Sequence, residues 1–106
     1  MTENIDYTSF KEFYPFYLGQ HSKPGTRLLH FLGSWCALFC LGALVYSGDF
    51  WWLPTGFFLG YAFAWTGHFF IEKNKPATFK YPLYSFLGDW VMFGQLITRK
   101  IRFFNN

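Results

Sequence analysis

Few side chains in this sequence are suited to catalysis or metal binding. The 106-residue chain contains three histidines, namely His21, His30 and His68. Beyond Glu12 the only acids are Asp49, Glu72 and Asp89. Neutral imidazole binds iron, zinc, copper or nickel, and two histidines with one carboxylate are typical of non-haem Fe(II) sites. These residues form a metal site only if the fold brings them together.

Two long uncharged segments contain two of the histidines. Residues 28–46 and 50–71 have no charged side chain, and Ser47-Gly48-Asp49 between them has the composition of a turn. As helices they would be roughly 28 and 33 Å long, close to the roughly 30 Å hydrocarbon core of a bilayer. The sequence therefore predicts a transmembrane helical hairpin, with a buried hairpin of a soluble protein as the alternative.

Shorter apolar segments flank the predicted hairpin. Residues 7–20 are aromatic and amphipathic, and residues 81–97 are apolar with Asp89 near the middle. Both are too short or too polar for a clear span, so we predict interfacial or re-entrant helices. The expected fold is an all-α membrane protein with a single domain over residues 1–106.

Basic residues predict the orientation of the hairpin. Lys23 and Arg27 precede the first span, three lysines follow the second at 73, 75 and 80, and the connecting loop holds only Asp49. The positive-inside rule then places both termini in the cytoplasm. The expected location is a bacterial inner membrane, or the endoplasmic reticulum if the chain is eukaryotic.

The composition excludes several classes of protein. Hydrophobic residues make up 52%, aromatic residues 26% and charged residues only 14% of the chain, whereas about 25% is charged in an average soluble domain. Such a high hydrophobic and low charged content excludes intrinsic disorder. The net charge is +3, but no Lys or Arg occurs between Arg27 and Lys73, so the basic aromatic stripe of a nucleic-acid-binding surface is missing. Cys36 and Cys40 are interpreted as small packing residues.

The hairpin predicts which polar residues meet. With a turn centred near residue 49, His30 and His68 lie at equal depth, and Glu72 lies at i+4 from His68. Pro24-Gly25 can fold the segment carrying His21 back toward them. Ionisable residues in membrane helices suggest function by default. The alternative is that each pairs with a neighbour, Glu72 with Arg27 or Lys73 and Asp89 with a basic residue.

Two blocks of the sequence resemble a known family. Residues 13–17 (FYPFY), followed by His21, Pro24 and His30, are similar to the N-terminal block of the fungal protein for metabolism of phytosphingosine to odd-numbered fatty acids. Residues 67–77 (GHFFIEKNKPA) resemble its second block. The fungal proteins have extra apolar sequence between the blocks, and Thr26 stands where members often carry asparagine. The chain therefore resembles the short, bacterial-type members.

The resemblance implies a membrane-bound Fe(II)-dependent dioxygenase that uses O₂ to shorten 2-hydroxy fatty acids by one carbon, releasing carbon dioxide. A 2-hydroxy acid can chelate one iron, and its oxidation supplies all four electrons that O₂ needs. The family's motif positions, and thus the implied catalytic residues and metal ligands, fall on His21, His30, His68 and Glu72. Glu72 is expected either as a ligand or as the partner of His68. Arg27 or Lys73 would attract the substrate carboxylate, with solvent or lipid phosphate as the alternative.

Two other functions remain open from the residues alone. One is a non-catalytic membrane scaffold whose histidines only pair with neighbours. The other is a haem protein that uses two of the histidines as axial ligands. A transporter is disfavoured because two spans leave little room for a pathway unless the chain forms a homo-oligomer.

Overall fold

A computed structural model describes residues 7–103, which form four α-helices and no strand. The helices are α1 (Phe10–Gly19), α2 (Pro24–Ser47), α3 (Trp52–Thr66) and α4 (Pro82–Ile97). A π-helical turn over Gly67–Glu72 continues α3 without a break, and a 3₁₀ turn covers Ala77–Phe79. The prediction of an all-α fold is confirmed.

The central unit is an antiparallel hairpin of α2 and α3. Helix α2 begins with Pro24 at its first position, where proline has no backbone hydrogen bond to lose. It ends at Ser47 and is capped by Gly48, which has a left-handed φ of 74° and donates its N–H to the Leu44 carbonyl at 2.7 Å. Helix α2 is thus longer than the uncharged segment 28–46, because Arg27 and the preceding turn are also helical.

Small residues let the two helices of the hairpin approach closely. A Cβ atom added at Gly33 would lie 2.9 Å from the Gly60 carbonyl oxygen and 2.9 Å from the Phe63 Cβ. Further along, a Cβ at Gly56 would lie 3.1 Å from the Cys40 Cβ. These contacts fix the alignment of α2 with α3. They thereby set the position of His30 relative to the end of α3 that continues into the π-helical turn.

Replacing Gly33 with alanine is expected to lower the free energy of unfolding by about 1–3 kcal/mol, as overpacking of a tight interface does. The added methyl group meets a backbone carbonyl, so relief requires moving the whole of α3. Gly42→Ala is the matched control, because nothing lies within 4 Å of its added Cβ and it is also inside α2. The measurement is equilibrium unfolding of both variants in detergent micelles. Equal stabilities would contradict the close crossing.

The second packing unit joins α1 and α4. Ser9 caps α1 by accepting the Glu12 N–H at 3.2 Å. The buried core here comprises Phe13, Tyr17, Ala77, Met92 and Leu96. The aromatic face expected along the membrane surface therefore packs largely against α4, with Phe13 and Tyr17 fully buried.

Among the described residues, one helix is long and apolar enough to cross a membrane, namely Pro24–Ser47. Helix α3 alone has 15 residues, fewer than the roughly 20 that a span needs. The helical hairpin predicted from the sequence exists, while its insertion in a bilayer stays a prediction.

Candidate metal centre

Three histidines from distant parts of the chain meet inside the protein. His21 lies between α1 and α2, His30 is in α2, and His68 is in the π-helical turn. Their exposed fractions are 1%, 5% and 2%. One ring nitrogen from each lies within 4.8 Å of the others, and the Nε2 atoms of His21 and His30 are 3.0 Å apart. Three imidazoles at such distances form a possible metal site.

The local backbone explains how each ring reaches the cluster. His21 donates its backbone N–H to the Leu18 carbonyl at 3.0 Å, and its own carbonyl accepts from Arg27 Nε at 2.6 Å. His68 is anchored by the Asn74 N–H, which donates to its carbonyl at 3.0 Å. Single π-helical turns inside α-helices are frequent at functional sites, and this one carries His68.

Each ring also has an oxygen partner on the side away from the cluster. The Nδ1 atom of His21 lies 2.7 Å from the Tyr17 carbonyl oxygen, and that of His68 lies 2.8 Å from Asn74 Oδ1. The Nδ1 atom of His30 lies 3.5 Å from Asp89 Oδ1. Partners of this kind are usual for metal-binding histidines, because they fix the tautomer that leaves Nε2 free to bind.

The protonation state of the cluster fits a metal ion. A carbonyl oxygen only accepts hydrogen bonds, so the Nδ1 atom of His21 carries the proton and its Nε2 has a lone pair. Burial lowers the pKa of His21 to about 3, so this imidazole is neutral at physiological pH. His21 Nε2 therefore accepts a hydrogen bond from His30 Nε2–H across the 3.0 Å between them when no metal is bound. A metal bound to both atoms would require the His30 proton to move to Nδ1, which faces Asp89.

Asp89 and Tyr17 form the wall behind His30. The Tyr17 hydroxyl donates to Asp89 Oδ1, and the Tyr17 ring stacks on His21 with centroids 4.1 Å apart. Burial raises the pKa of Asp89 to about 7, and the hydrogen bond from Tyr17 opposes that rise. Burial and the nearby Asp89 raise the pKa of Tyr17 well above its usual value, so the phenol stays protonated.

Glu72 does not join the three imidazoles. Its Oε2 atom accepts the Lys23 N–H at 2.7 Å, and its Oε1 atom accepts from Ser22 Oγ at 3.3 Å. The residue that holds the His68 ring is Asn74. Glu72 thus caps the start of α2, where free backbone N–H groups favour a carboxylate. The structure thus does not bring Glu72 into the cluster of imidazoles, and its expected role as a ligand or as the partner of His68 stays a prediction.

The two cations expected to bind substrate have different surroundings. Arg27 is buried, and its guanidinium donates to the carbonyls of His21 and Arg102, both at 2.6 Å. These two hydrogen bonds indicate that Arg27 holds the loop that carries His21 in position. Lys73 is exposed at the end of the π-helical turn with a left-handed φ of 62°, so its role toward a substrate stays a prediction.

The sequence predicts only some of the residues that contact the histidine rings. Asn74 and Tyr17 lie inside the two blocks quoted above, but nothing in their spacing marked them as ring partners. Asp89 lies in α4, within the segment predicted as a flanking helix, and contacts His30. Cys36 and Cys40 are free thiols of α2 and are not members of the cluster. The Nε2 atoms of His21 and His30 are 3.0 Å apart, so a haem iron does not fit between these two histidines. A haem held by a pair that includes His68 stays an alternative.

Comparison with known proteins gives one family. A family model described as Mpo1-like, 2-hydroxy-palmitic acid dioxygenase Mpo1-like, matches residues 7–101. No curated protein matches the chain, and no solved structure does. The matched region contains all three histidines, together with Tyr17, Asn74 and Asp89.

Proposed function

The chain belongs to the Mpo1-like family, and we propose that it is a membrane-embedded, Fe(II)-dependent dioxygenase that shortens 2-hydroxy fatty acids by one carbon. The observation that carries this proposal is the buried cluster of His21, His30 and His68, each ring held on its far side by an oxygen. A chain of 106 residues has no evident stability reason to bury three mutually adjacent imidazoles, whose desolvation is costly.

The donor set suits the proposed cofactor and substrate. The ligands we propose are the three histidines, with Asp89, Asn74 and the Tyr17 carbonyl as their outer partners. Fe(II), when bound there, would supply the activation of O₂. Three neutral ligands leave the charge of a divalent cation uncompensated, which favours an anionic ligand such as the carboxylate of a 2-hydroxy acid.

The reaction balances without another reductant. A 2-hydroxy acid and one O₂ give the acid one carbon shorter, one carbon dioxide and one water, and the substrate itself provides the four electrons. The protein's own part is to hold the imidazoles, orient Asp89 through Tyr17, and surround the site with aromatic side chains that exclude water.

The surface of the hairpin supports a membrane location. Only 17% of the most apolar 18-residue stretch of α2 is buried inside the protein, unlike the core helix of a soluble domain. Large apolar side chains such as Phe39, Val45 and Phe58 are 70–79% exposed, and exposed apolar surface that is contiguous marks membrane or protein contacts. Helix α3 and the π-helical turn together run from residue 52 to 72, long enough to cross with α2. We propose that both termini are cytoplasmic, because the basic residues lie at the open end of the hairpin and beyond it, and the connecting loop has none.

Turnover is the direct test of the proposal. Protein loaded anaerobically with Fe(II) in detergent is expected to convert 2-hydroxyhexadecanoic acid to the acid one carbon shorter. O₂ consumption and carbon dioxide release should be equal, without 2-oxoglutarate or an external reductant. The measurement combines an oxygen electrode with mass spectrometry of the acids, and metal-free protein is the control. Iron-loaded protein that consumes O₂ without forming the shorter acid would contradict the proposed reaction.

A further inference from the structure

A second feature of the molecule is a cavity that starts at the histidine cluster. Its volume is about 260 Å³, and it lies between α2, α3 and α4. His30 and Asp89 line one end, and Leu41 and Leu53 line the other. Phe57 of α3 and Phe86 of α4 also line the cavity, and their ring centroids lie 6.2 Å apart.

The polarity of the cavity changes along its length. Its titratable side chains, His30, Asp89 and Tyr61, belong with the cluster end, since all three also line the small space beside His21 and His68. Ser34 lies one helical turn beyond His30, and the other lining residues are alanine, glycine, leucine and aromatic residues. Such a space fits a molecule with one polar head and an apolar tail.

The helices also give the length of the cavity. The antiparallel contact of Gly33 with Gly60 places His30 near the level of Ala64, and Leu41 near the level of Leu53. His30 and Leu41 are 11 residues apart on α2, and so are Leu53 and Ala64 on α3. This separation is about 16 Å at 1.5 Å per residue. An extended carbon chain with bonds of about 1.5 Å advances about 1.25 Å per carbon, so about 13 carbons fit.

We propose that this cavity binds the unbranched acyl tail of the substrate, and that Leu41 and Leu53 set the longest chain that fits. This inference rests on the proposed function, because it takes the histidine cluster as the site of the polar head. Phe57 and Phe86 are 48% and 38% exposed, so the tail enters sideways from the surrounding lipid between α3 and α4.

The first experiment measures chain-length preference. The ratio kcat/KM is determined for straight-chain 2-hydroxy acids from octanoate to octadecanoate, in wild-type protein and in Leu41→Trp and Leu53→Ala variants. Leu32→Trp is the matched control, because Leu32 is a half-exposed leucine of α2 outside the cavity. One methylene in an apolar pocket changes kcat/KM by about 10–200-fold, which sets the size of the expected effect.

In Leu41→Trp we expect the long acids to lose at least about tenfold in kcat/KM while the shortest acids keep theirs. Leu53→Ala should extend the preference to longer acids, and Leu32→Trp should leave it unchanged. An unchanged preference in Leu41→Trp, or an equal loss at every length, would overturn the cavity assignment while leaving the dioxygenase proposal intact.

If the wild-type protein turns over none of these acids, the proposed function is wrong. A second experiment then tests by itself whether the cavity binds an acyl tail. A fatty acid with a diazirine on its terminal carbon is photolysed with the protein, and the labelled residues are located by mass spectrometry. Labelling at Leu41 and Leu53 that excess unlabelled hexadecanoic acid suppresses would support the cavity as an acyl site. Leu41 and Leu53 are themselves 50% and 45% exposed, so suppression by the unlabelled acid is the criterion. Labelling that is not suppressed, or that spreads over Leu32 and Phe58, which do not line the cavity, would overturn it.

Discussion

Protein carrying His68→Ala is expected to lose the proposed iron and the proposed dioxygenase activity together. His68 supplies one of three clustered imidazoles, and its ring is already oriented by Asn74 at 2.8 Å. Removing an outer partner of a ligand typically costs about 10–100-fold in metal affinity, and removing the ligand itself costs more. The measurement is metal content of anaerobically purified protein, about one iron per chain in the wild type and less than about a tenth in the variant.

Glu72→Gln is the control that separates a ligand from a structural carboxylate. Glu72 accepts from the Lys23 N–H and lies outside the histidine cluster, so this variant should keep its iron. Iron retained in His68→Ala, or lost in Glu72→Gln but not in His68→Ala, would contradict the proposed ligand set. Zinc in place of iron would keep the site but favour hydrolytic or structural chemistry, since three histidines also bind catalytic zinc.

The hairpin was predictable because its signal is long and local. Two uncharged segments of helical length separated by Ser47-Gly48-Asp49 specify two helices and a turn, and α2 and α3 are there. The uncharged segment predicted from the sequence starts at residue 28, because Arg27 is charged, whereas α2 starts at Pro24. A buried arginine whose guanidinium donates to two carbonyls remains inside the helix, and no pattern of charge indicates those acceptors.

The pairing of His30 with His68 was also predictable, since residues equidistant from a hairpin turn lie at similar depth. Their ring centroids are 5.7 Å apart. The position of Glu72 was not predictable by the same means. The i+4 rule assumes an α-helix, whereas residues 67–72 are π-helical. Hydrophobic periodicity carries no signal for a single π-helical turn.

The outer partners of the histidines depend on contacts distant in sequence. Asp89 reaches His30 because α4 packs against both α1 and α2, and Gly88 allows this by lying against the Tyr17 ring. A Cβ added at Gly88 would lie 3.0 Å from that ring. A single sequence gives the helix that carries Asp89 but not the side of the bundle on which it packs.

Asp89 is consequently the residue whose replacement should most weaken the site without removing a ligand. A metal on His30 Nε2 requires the proton on Nδ1, which faces the Asp89 carboxylate at 3.5 Å. We expect Asp89→Ala to lower the Fe(II) affinity by about 10–100-fold. Asp89→Asn should lose less, because its amide oxygen still accepts from His30 Nδ1 and from the Tyr17 hydroxyl, so the two variants separate the charge from the hydrogen bonds.

The measurement for Asp89 is competition for Fe(II) against a chelator under anaerobic conditions, with circular dichroism to show that both variants remain helical. Asp49→Asn removes an equal charge from the exposed hairpin loop and should leave the affinity unchanged. An unaltered affinity in folded Asp89→Ala would mean that His30 binds without a fixed tautomer. A loss in Asp89→Asn equal to that in Asp89→Ala would mean that the negative charge, rather than the hydrogen bond, stabilises the bound cation.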